Sequence, residues 1–464
     1  MLSANRAGAG APPAPATDDA WFTDWRQREL GRVERAGVTY LDYTGAALYP
    51  ESLVRCDAAR LATCLLGNPH SEHGPSRAST EDVNAARRAV LAFLRAASDE
   101  YVAILTPNAT GACRLVAESF PFGTGSTLAL AADNHNSVNG IREYARAAGA
   151  TITTIPVDEE LRLVRPEAVL DPVLRAPSLF AYAAQSNFSG VRHPLALIPE
   201  ARARGWRVLL DAASYVPTAD LRLDQVRPDF VALSLYKMTG YPAGIGALVA
   251  RRDALAELRR PWFAGGTVRW ASVQHGRHCL ADAEAAFEDG TLPYLSAGAV
   301  APALDALLAA GRDRLARHVR CLTSDTLRAL QVLVHRTGVP LVAVHGPRTA
   351  EARGATIALT LRDPRGRVIP YWLVEASARA AGIAVRGGCF CNPGCAEAAF
   401  DFPDAGTRRC LDALGGDFTI PRFARCLGDD VPVGAIRVSF GLGSVGADVE
   451  RLTEFLERFL NGGA

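Results

Sequence analysis

Seven short apolar runs, each ending in a polar loop, limit what this chain can fold into more than any other feature. They are VAIL at 102 to 105, LALAA at 128 to 132, TITTI at 151 to 155, LFAYAA at 179 to 184, VLLD at 208 to 211, FVALS at 230 to 234 and GALVA at 246 to 250. Several have helical pattern between them, which is the signature of βα units and a mostly parallel sheet. In such sheets ligands sit beyond the carboxyl ends of the strands, so the polar residues just after each run are the ones to inspect.

The flanking segments read differently. Residues 1 to about 18, ending in AGAPPAPATDD, are rich in Ala, Pro and Gly, and a disordered tail is expected over 1–20, with order beginning near Trp21. Val83, Val90, Leu91 and Leu94 recur at helical spacing and predict an amphipathic helix over about 83–97. After about residue 290 the pattern is mainly helical, with further strands expected at ATIALTLR and AIRVSFG. We therefore expect an N-terminal segment and large domain over 21–290 and a smaller C-terminal α/β domain over 291–464, with an insertion at about 396–433. No internal repeat is visible.

Composition narrows the partners. The chain has 464 residues, 49% hydrophobic and 21% charged, which is ordinary for a soluble protein with a sizeable core. Its net charge is +1 and it has no run of like charge, so nothing points to nucleic acid or an anionic membrane; a small molecule or a protein is the expected partner. No segment approaches the roughly 20 uninterrupted apolar residues of a membrane helix, and no secretory pattern opens the chain. A cytoplasmic location is the expectation. Ten cysteines are too sparse for a disulfide scaffold, so most are expected to be reduced, the exception being the cluster Cys389, Cys391 and Cys395.

Lys237 is the only lysine among 50 basic residues. A guanidinium stays protonated, whereas a buried ammonium can lose its proton and attack a carbonyl, most commonly to form an imine with pyridoxal phosphate (PLP). Lys237 stands three residues past FVALS, where this kind of fold aims it into the cleft. Asp211 closes VLLD one strand earlier, placed either to pair with a pyridinium nitrogen or to cap a helix. The turn TPNATGACRLV leads into helical pattern near Thr110, an anion site suited to a phosphate. His135, after the second run, is either a capping or core histidine or an imidazole stacked on a planar ring and able to move protons.

In RGGCFCNPGC, Cys391 is a candidate reactive thiolate near Arg386, on a Gly-rich, mobile loop. The alternative is a metal site, but structural zinc usually takes four ligands in two paired motifs and no second pair is evident. No metal is expected, and His70 and His73 in NPHSEHG are read as lining a loop.

Together these stretches, with YLDYTGAALYP, DNHNSVNGIRE, AAQSNFSGVRHPL, LLDAASYVPT, SLYKMTGYPAGIGAL, FAGGTV, FEDGTLPYLS and GAIRVSFG, resemble the class V branch of PLP-dependent fold type I enzymes, specifically the cysteine desulfurase domain of molybdenum cofactor sulfurases. The resemblance implies a PLP-dependent transferase fold and assigns roles by position. Lys237 would bond to the cofactor, Asp211 would bind its ring nitrogen and His135 would stack on the ring. Thr110 and Ser234 would hold the phosphate, with Thr267 reaching it from the other subunit of a homodimer. Asn187 would lie near the phenolic oxygen and the substrate, Arg437 would grip the substrate carboxylate and Cys391 would receive sulfur. Ser214 and Tyr236 stand where iron-sulfur-type desulfurases usually carry Gln and His, which favours the molybdenum branch.

The implied reaction moves sulfur from L-cysteine to Cys391 as a persulfide, releasing alanine, and then to an acceptor. That acceptor is expected to be the molybdenum cofactor of a hydroxylase. Eukaryotic members continue into a MOSC domain; as this chain ends at Ala464, a separate MOSC protein or a different acceptor is expected. Three alternatives stay open: another class V activity such as an aminotransferase, epimerase or carbon-sulfur lyase; a desulfurase serving a different thio-cofactor; and a catalytically idle binding protein on the same fold.

Overall fold

In the computed structural model, which describes residues 18–171, 174–402, 404–428 and 431–462, all seven apolar runs are strands of one sheet. They are β1 (Tyr101–Thr106), β2 (Thr127–Ala131), β3 (Thr151–Ile155), β4 (Leu179–Ala183), β5 (Arg207–Asp211), β6 (Phe230–Ser234) and β7 (Gly246–Arg251), in spatial order β1-β7-β6-β5-β4-β2-β3. Only β7 runs antiparallel to its neighbours, so the sheet is mostly parallel as expected. In β1, β4 and β6 every residue is buried, because helices cover both faces. The Thr-rich β3 is largely open, as its position at the sheet edge allows.

Helix α1 (Gly74–Phe93) begins earlier than the apolar spacing indicates. His73 caps it, accepting from Ser76 N at 3.3 Å, and only Ser76 and Ser79 of its polar first half are buried before Val83, Ala86, Val90 and Phe93. It stops short of residue 97 because Arg95 is left-handed, with φ 53°. Helix α2 (Ala109–Ser119) follows β1, capped by Asn108, whose Oδ1 accepts from Gly111 N at 3.0 Å.

After the long helix α3 (Arg312–Gln331), a second sheet forms from β8 (Val342–His345), β9 (Thr356–Arg362), β10 (Val368–Ile369), β11 (Arg386–Gly388) and β12 (Ala435–Ser439). Its order is β8-β9-β12-β11, with β10 beside β9, all antiparallel. Both predicted C-terminal strands, β9 and β12, are its centre. The N-terminal segment also joins this part of the molecule. Thr39–Tyr40 pairs in parallel with Ile383–Ala384, and Thr44 N donates to Ser439 Oγ at 2.9 Å.

Most of the expected tail, residues 1–17, lies outside the described residues; Asp18–Glu29 is a helix burying Phe22 and Trp25. Within 396–433, past α4 (Pro393–Ala399), the chain folds into α5 (Asp404–Leu414) and α6 (Ile420–Leu427). A disulfide joins Cys410 to Cys426 between them. It stands outside the cysteine cluster, where the sequence had marked the exception; the other eight cysteines are free thiols. Among the described residues no single helix is long and apolar enough to cross a membrane.

Candidate active site

The strand ends supply one half of the site. Lys237 lies on the short helix Leu235–Thr239 immediately after β6, and Asp211 is the last residue of β5. Lys237 lines a cleft with Ser214, Gln185, Tyr43, Thr356 and Phe440. Burial pushes the Lys237 pKa down, the nearby charges of Arg437 and Arg386 push the same way, and Asp211 opposes them. One oxygen of Asp211 accepts from Ala213 N at 3.0 Å.

Ser234 and Thr110 meet at the start of α2. Ser234 Oγ accepts from Ala109 N at 3.0 Å, and Thr110 Oγ1 lies 2.7 Å from Ser137 Oγ. Ser137, which the sequence reading missed, also touches His135: its Oγ is 2.9 Å from Nδ1 and its backbone N donates to Nδ1 at 3.1 Å. Nδ1 is thus an acceptor, leaving the ring proton on Nε2. His135 therefore does cap a turn, yet it also lies within the fields of Asp211, Lys237 and Arg437, and burial above all pushes its pKa down.

The other half comes from the second sheet. Arg386 and Arg437 stand directly opposite each other on β11 and β12, so both guanidinium groups reach the same place. That place holds Asp42, which the sequence reading also missed. Arg437 Nη2 donates to Asp42 Oδ1 at 2.9 Å, and Arg386 donates to Asp42 through Nε at 3.0 Å and Nη2 at 2.6 Å. A Cβ on Gly45 would stand 2.4 Å from Asp42 Oδ2 and 2.6 Å from Arg386 Nη2, so any side chain there would displace this pair. Arg437 also donates to Asn187 O at 3.1 Å, stacks over Phe390 at 4.8 Å and leaves Nε buried without a partner among the described residues.

Cys391 is exposed, and the loop that carries it is anchored rather than loose. Asn136 N donates to Cys391 O at 2.8 Å, Asn187 Nδ2 to Phe390 O at 2.7 Å, and Asn392 Nδ2 to Asp133 O at 2.6 Å and Asn187 Oδ1 at 3.0 Å. A Cβ on Gly394 would stand 2.1 Å from Ala132 O, so the loop lies against the turn that carries His135. These contacts hold Phe390 and Cys391 at φ 56° and 55°, left-handed values that cost about 1–2 kcal/mol per residue. Arg386, expected near the thiol, gives its guanidinium to Asp42. The three cysteines point to different neighbours: Cys389 Sγ donates to Val433 O at 3.3 Å, and the buried Cys395 Sγ is 4.0 Å from Ser186 Oγ.

The structure thus gathers Lys237, Asp211, His135, Arg437, Arg386 and Cys391, with Asn187 tying the cysteine loop to Arg437. Thr267 stays apart within the chain. It is buried, and its hydroxyl closes its own turn, donating to Ala264 O at 2.8 Å and accepting from Ala264 N at 2.7 Å. The donor set fits pyridoxal phosphate: hydroxyls at a helix N-terminus for the phosphate, a carboxylate for a ring N–H and a buried amine of depressed pKa for the aldehyde.

Comparison with known proteins agrees. The family described as Aminotransferase class-V matches residues 39–452. The molybdenum cofactor sulfurase of Bos taurus is 34% identical over 462 residues, covering 93% of this chain and 51% of the relative; that of Arabidopsis thaliana is 31% identical, covering 93% and 57%. The chain therefore spans about half the length of the curated relatives it matches. Among solved structures, a cysteine desulfurase from Thermococcus onnurineus superposes with TM-score 0.77 at 23% identity, over 95% of this chain and 98% of that one. One from Escherichia coli gives 0.73 at 20%, over 94% and 98%. These structures show the shared fold. The family uses pyridoxal phosphate. With its seven-stranded sheet, its buried Lys237 at a strand end and a match across most of its length, this chain belongs to the class-V aminotransferase family of PLP-dependent enzymes.

Proposed function

We propose that this enzyme is a cysteine desulfurase that loads sulfur from L-cysteine onto Cys391 and passes it to the molybdenum cofactor. The observation that carries the reading is Cys391 itself: an exposed thiol on a strained turn, anchored to the His135 turn and close enough to Lys237 to act on its charge. An aminotransferase or epimerase has no use for such a thiol.

When bound, pyridoxal phosphate supplies an electron sink that makes the substrate Cα–H acidic. Asp211 would hold its ring nitrogen protonated, and Ser234, Thr110 and the α2 amides would hold its phosphate, with Thr267 contributed by the second subunit of a homodimer. Arg437, assisted by Arg386, holds the substrate carboxylate by a planar fork. Lys237 Nζ, whose pKa burial pushes down, takes the Cα proton as a free amine. Cys391 Sγ attacks the substrate sulfur as a thiolate: an S–S bond forms, the C–S bond breaks, and its electron pair stays with the substrate carbon, which is protonated to give alanine. His135, neutral at Nδ1, is suited to relay these protons. The persulfide then gives its outer sulfur to the acceptor, in the cytoplasm, on a MOSC domain or a molybdenum hydroxylase. The relatives named molybdenum cofactor sulfurases support that acceptor.

The test is incubation with L-cysteine, followed by mass analysis of the Cys391 peptide and assay of alanine. One added sulfur atom on Cys391 and stoichiometric alanine are expected. Full turnover by Cys391→Ser would overturn the reading.

A further inference from the structure

A second cavity, of about 310 Å³, lies next to the Lys237 cleft, and Ala355 lines both. Four arginines, Arg192, Arg317, Arg320 and Arg353, face it against one acidic residue, Glu351. Elsewhere in this nearly neutral chain, well-buried arginines have carboxylate partners: Arg26 has Asp448, Arg260 has Glu118 and Arg437 has Asp42. Among the described residues, Arg192, Arg320 and Arg353 have none within 4.0 Å. Arg317 has one solvent-exposed contact, to Asp18 at 3.4 Å.

The four differ in what they can offer. Arg353 is 4% exposed, and its terminal amino groups are fixed by the carbonyls of Pro347, Ser189 and Thr356, with Nε buried and unpartnered among the described residues. It is a fixed positive charge rather than a contact, and burial above all pushes its pKa down to about 10. Arg192 donates Nε to Gln185 Oε1 at 3.1 Å and stacks over Tyr215 at 5.3 Å, which orients its guanidinium. Arg320, on α3, is exposed, and its charge presses on Arg192. Like charges brought together without a counter-ion are unfavourable, so this arrangement is complete only with an anion.

We infer that this cavity is a binding site for a phosphate dianion, held between the forks of Arg192 and Arg320 over the fixed charge of Arg353. Two guanidinium forks match phosphate oxygens, and the excess of positive lining charge suits a double negative charge. The volume exceeds what a bare ion fills, and Ala316 and Val319 supply apolar wall, so there is room for the organic part of a small phosphate monoester. Through the Arg192 to Gln185 hydrogen bond, the site is one side chain away from the Lys237 cleft.

Calorimetric titration of the PLP-loaded enzyme tests this, because the cofactor then fills its own phosphate cradle. Inorganic phosphate and ribose 5-phosphate are titrated separately against chloride of matched ionic strength. One saturable site per chain is expected, weakened about 10-fold or more by Arg320→Gln and by Arg192→Gln, and unchanged by the exposed control Arg365→Gln. Tighter binding of ribose 5-phosphate assigns the site to an ester; tighter inorganic phosphate assigns it to the free ion. Circular dichroism and cofactor absorbance verify that each variant is folded and loaded. Heats no larger than those of chloride, or equal affinities in Arg320→Gln and Arg365→Gln, would overturn the inference.

Discussion

The two halves of the active site are built by different means. The half around Lys237 and Asp211 follows from strand ends: Asp211 closes its own apolar run, Lys237 follows three residues past another, and Ser234 at the end of β6 reaches the start of α2 to complete the cradle with Thr110. The half around Cys391 and Arg437 is assembled across the molecule. Asp42 and Arg437 are 395 positions apart, Asn187 and Phe390 203, and the strained turn at Cys391 is held by Asn136, Asn187 and its own neighbour Asn392. The first half rests on the ends of strands within one sheet, whereas the assembled half rests on a few buried hydrogen bonds, each costly to lose.

Substitution separates the halves. Lys237→Ala should have the largest effect, lowering turnover by about 1000-fold or more and abolishing the cofactor absorbance that depends on the lysine. Cys391 should still be alkylated in that variant, because its turn is held by contacts that do not include Lys237; loss of alkylation would mean the halves are not independent. Asn392→Ala should do the reverse, keeping the absorbance while slowing sulfur transfer and destabilising the fold by about 1–3 kcal/mol through unpaired buried groups. Denaturant melts and persulfide yield read this out, and native sulfur transfer would break the contrast.

The smallest effect concerns the two neighbouring thiols. Burial pushes the Cys389 pKa up to about 11, while Cys391 is exposed. A thiol whose folded pKa is raised binds its proton more tightly folded than unfolded. Cys389 therefore contributes stability that is present below the ordinary thiol range, near 8.5, and is lost as pH rises through about 11. Iodoacetamide at pH 8 should label Cys391 at least about 10-fold faster than Cys389, and peptide mass spectrometry against pH should show Cys389 reacting only as 11 is approached.

The same division governs what could be read from the sequence. Six strands of the main sheet were legible because burial writes a nearly continuous apolar run, the edge strand β3 because its Thr and Ile residues are β-branched, and Asp211 and Lys237 because they stand at or just past the ends of two runs. Asp42 was not, since an acid in LDYTGAA has meaning only once β11 and β12 bring two arginines to it; the one local hint was Gly45 beside it. Ser137 was hidden in the same way, inside a stretch quoted for its histidine. The anchoring of the cysteine loop was misread because glycines signal freedom in sequence, whereas Gly394 is there for close contact with Ala132. The disulfide was missed because Cys410 and Cys426 lie on separate helices with no motif spacing to announce them.

Asp42 also changes how the resting enzyme is to be regarded. In the reaction we propose, an incoming amino acid does not meet an empty cationic pocket; it meets one already occupied by an internal carboxylate shared between Arg386 and Arg437. Entry is then an exchange of one carboxylate for another, and a weakly held acid that cannot also engage Lys237 and Cys391 gains nothing by displacing the resident. Selectivity in such a pocket begins as competition with the protein's own side chain, before any chemistry takes place.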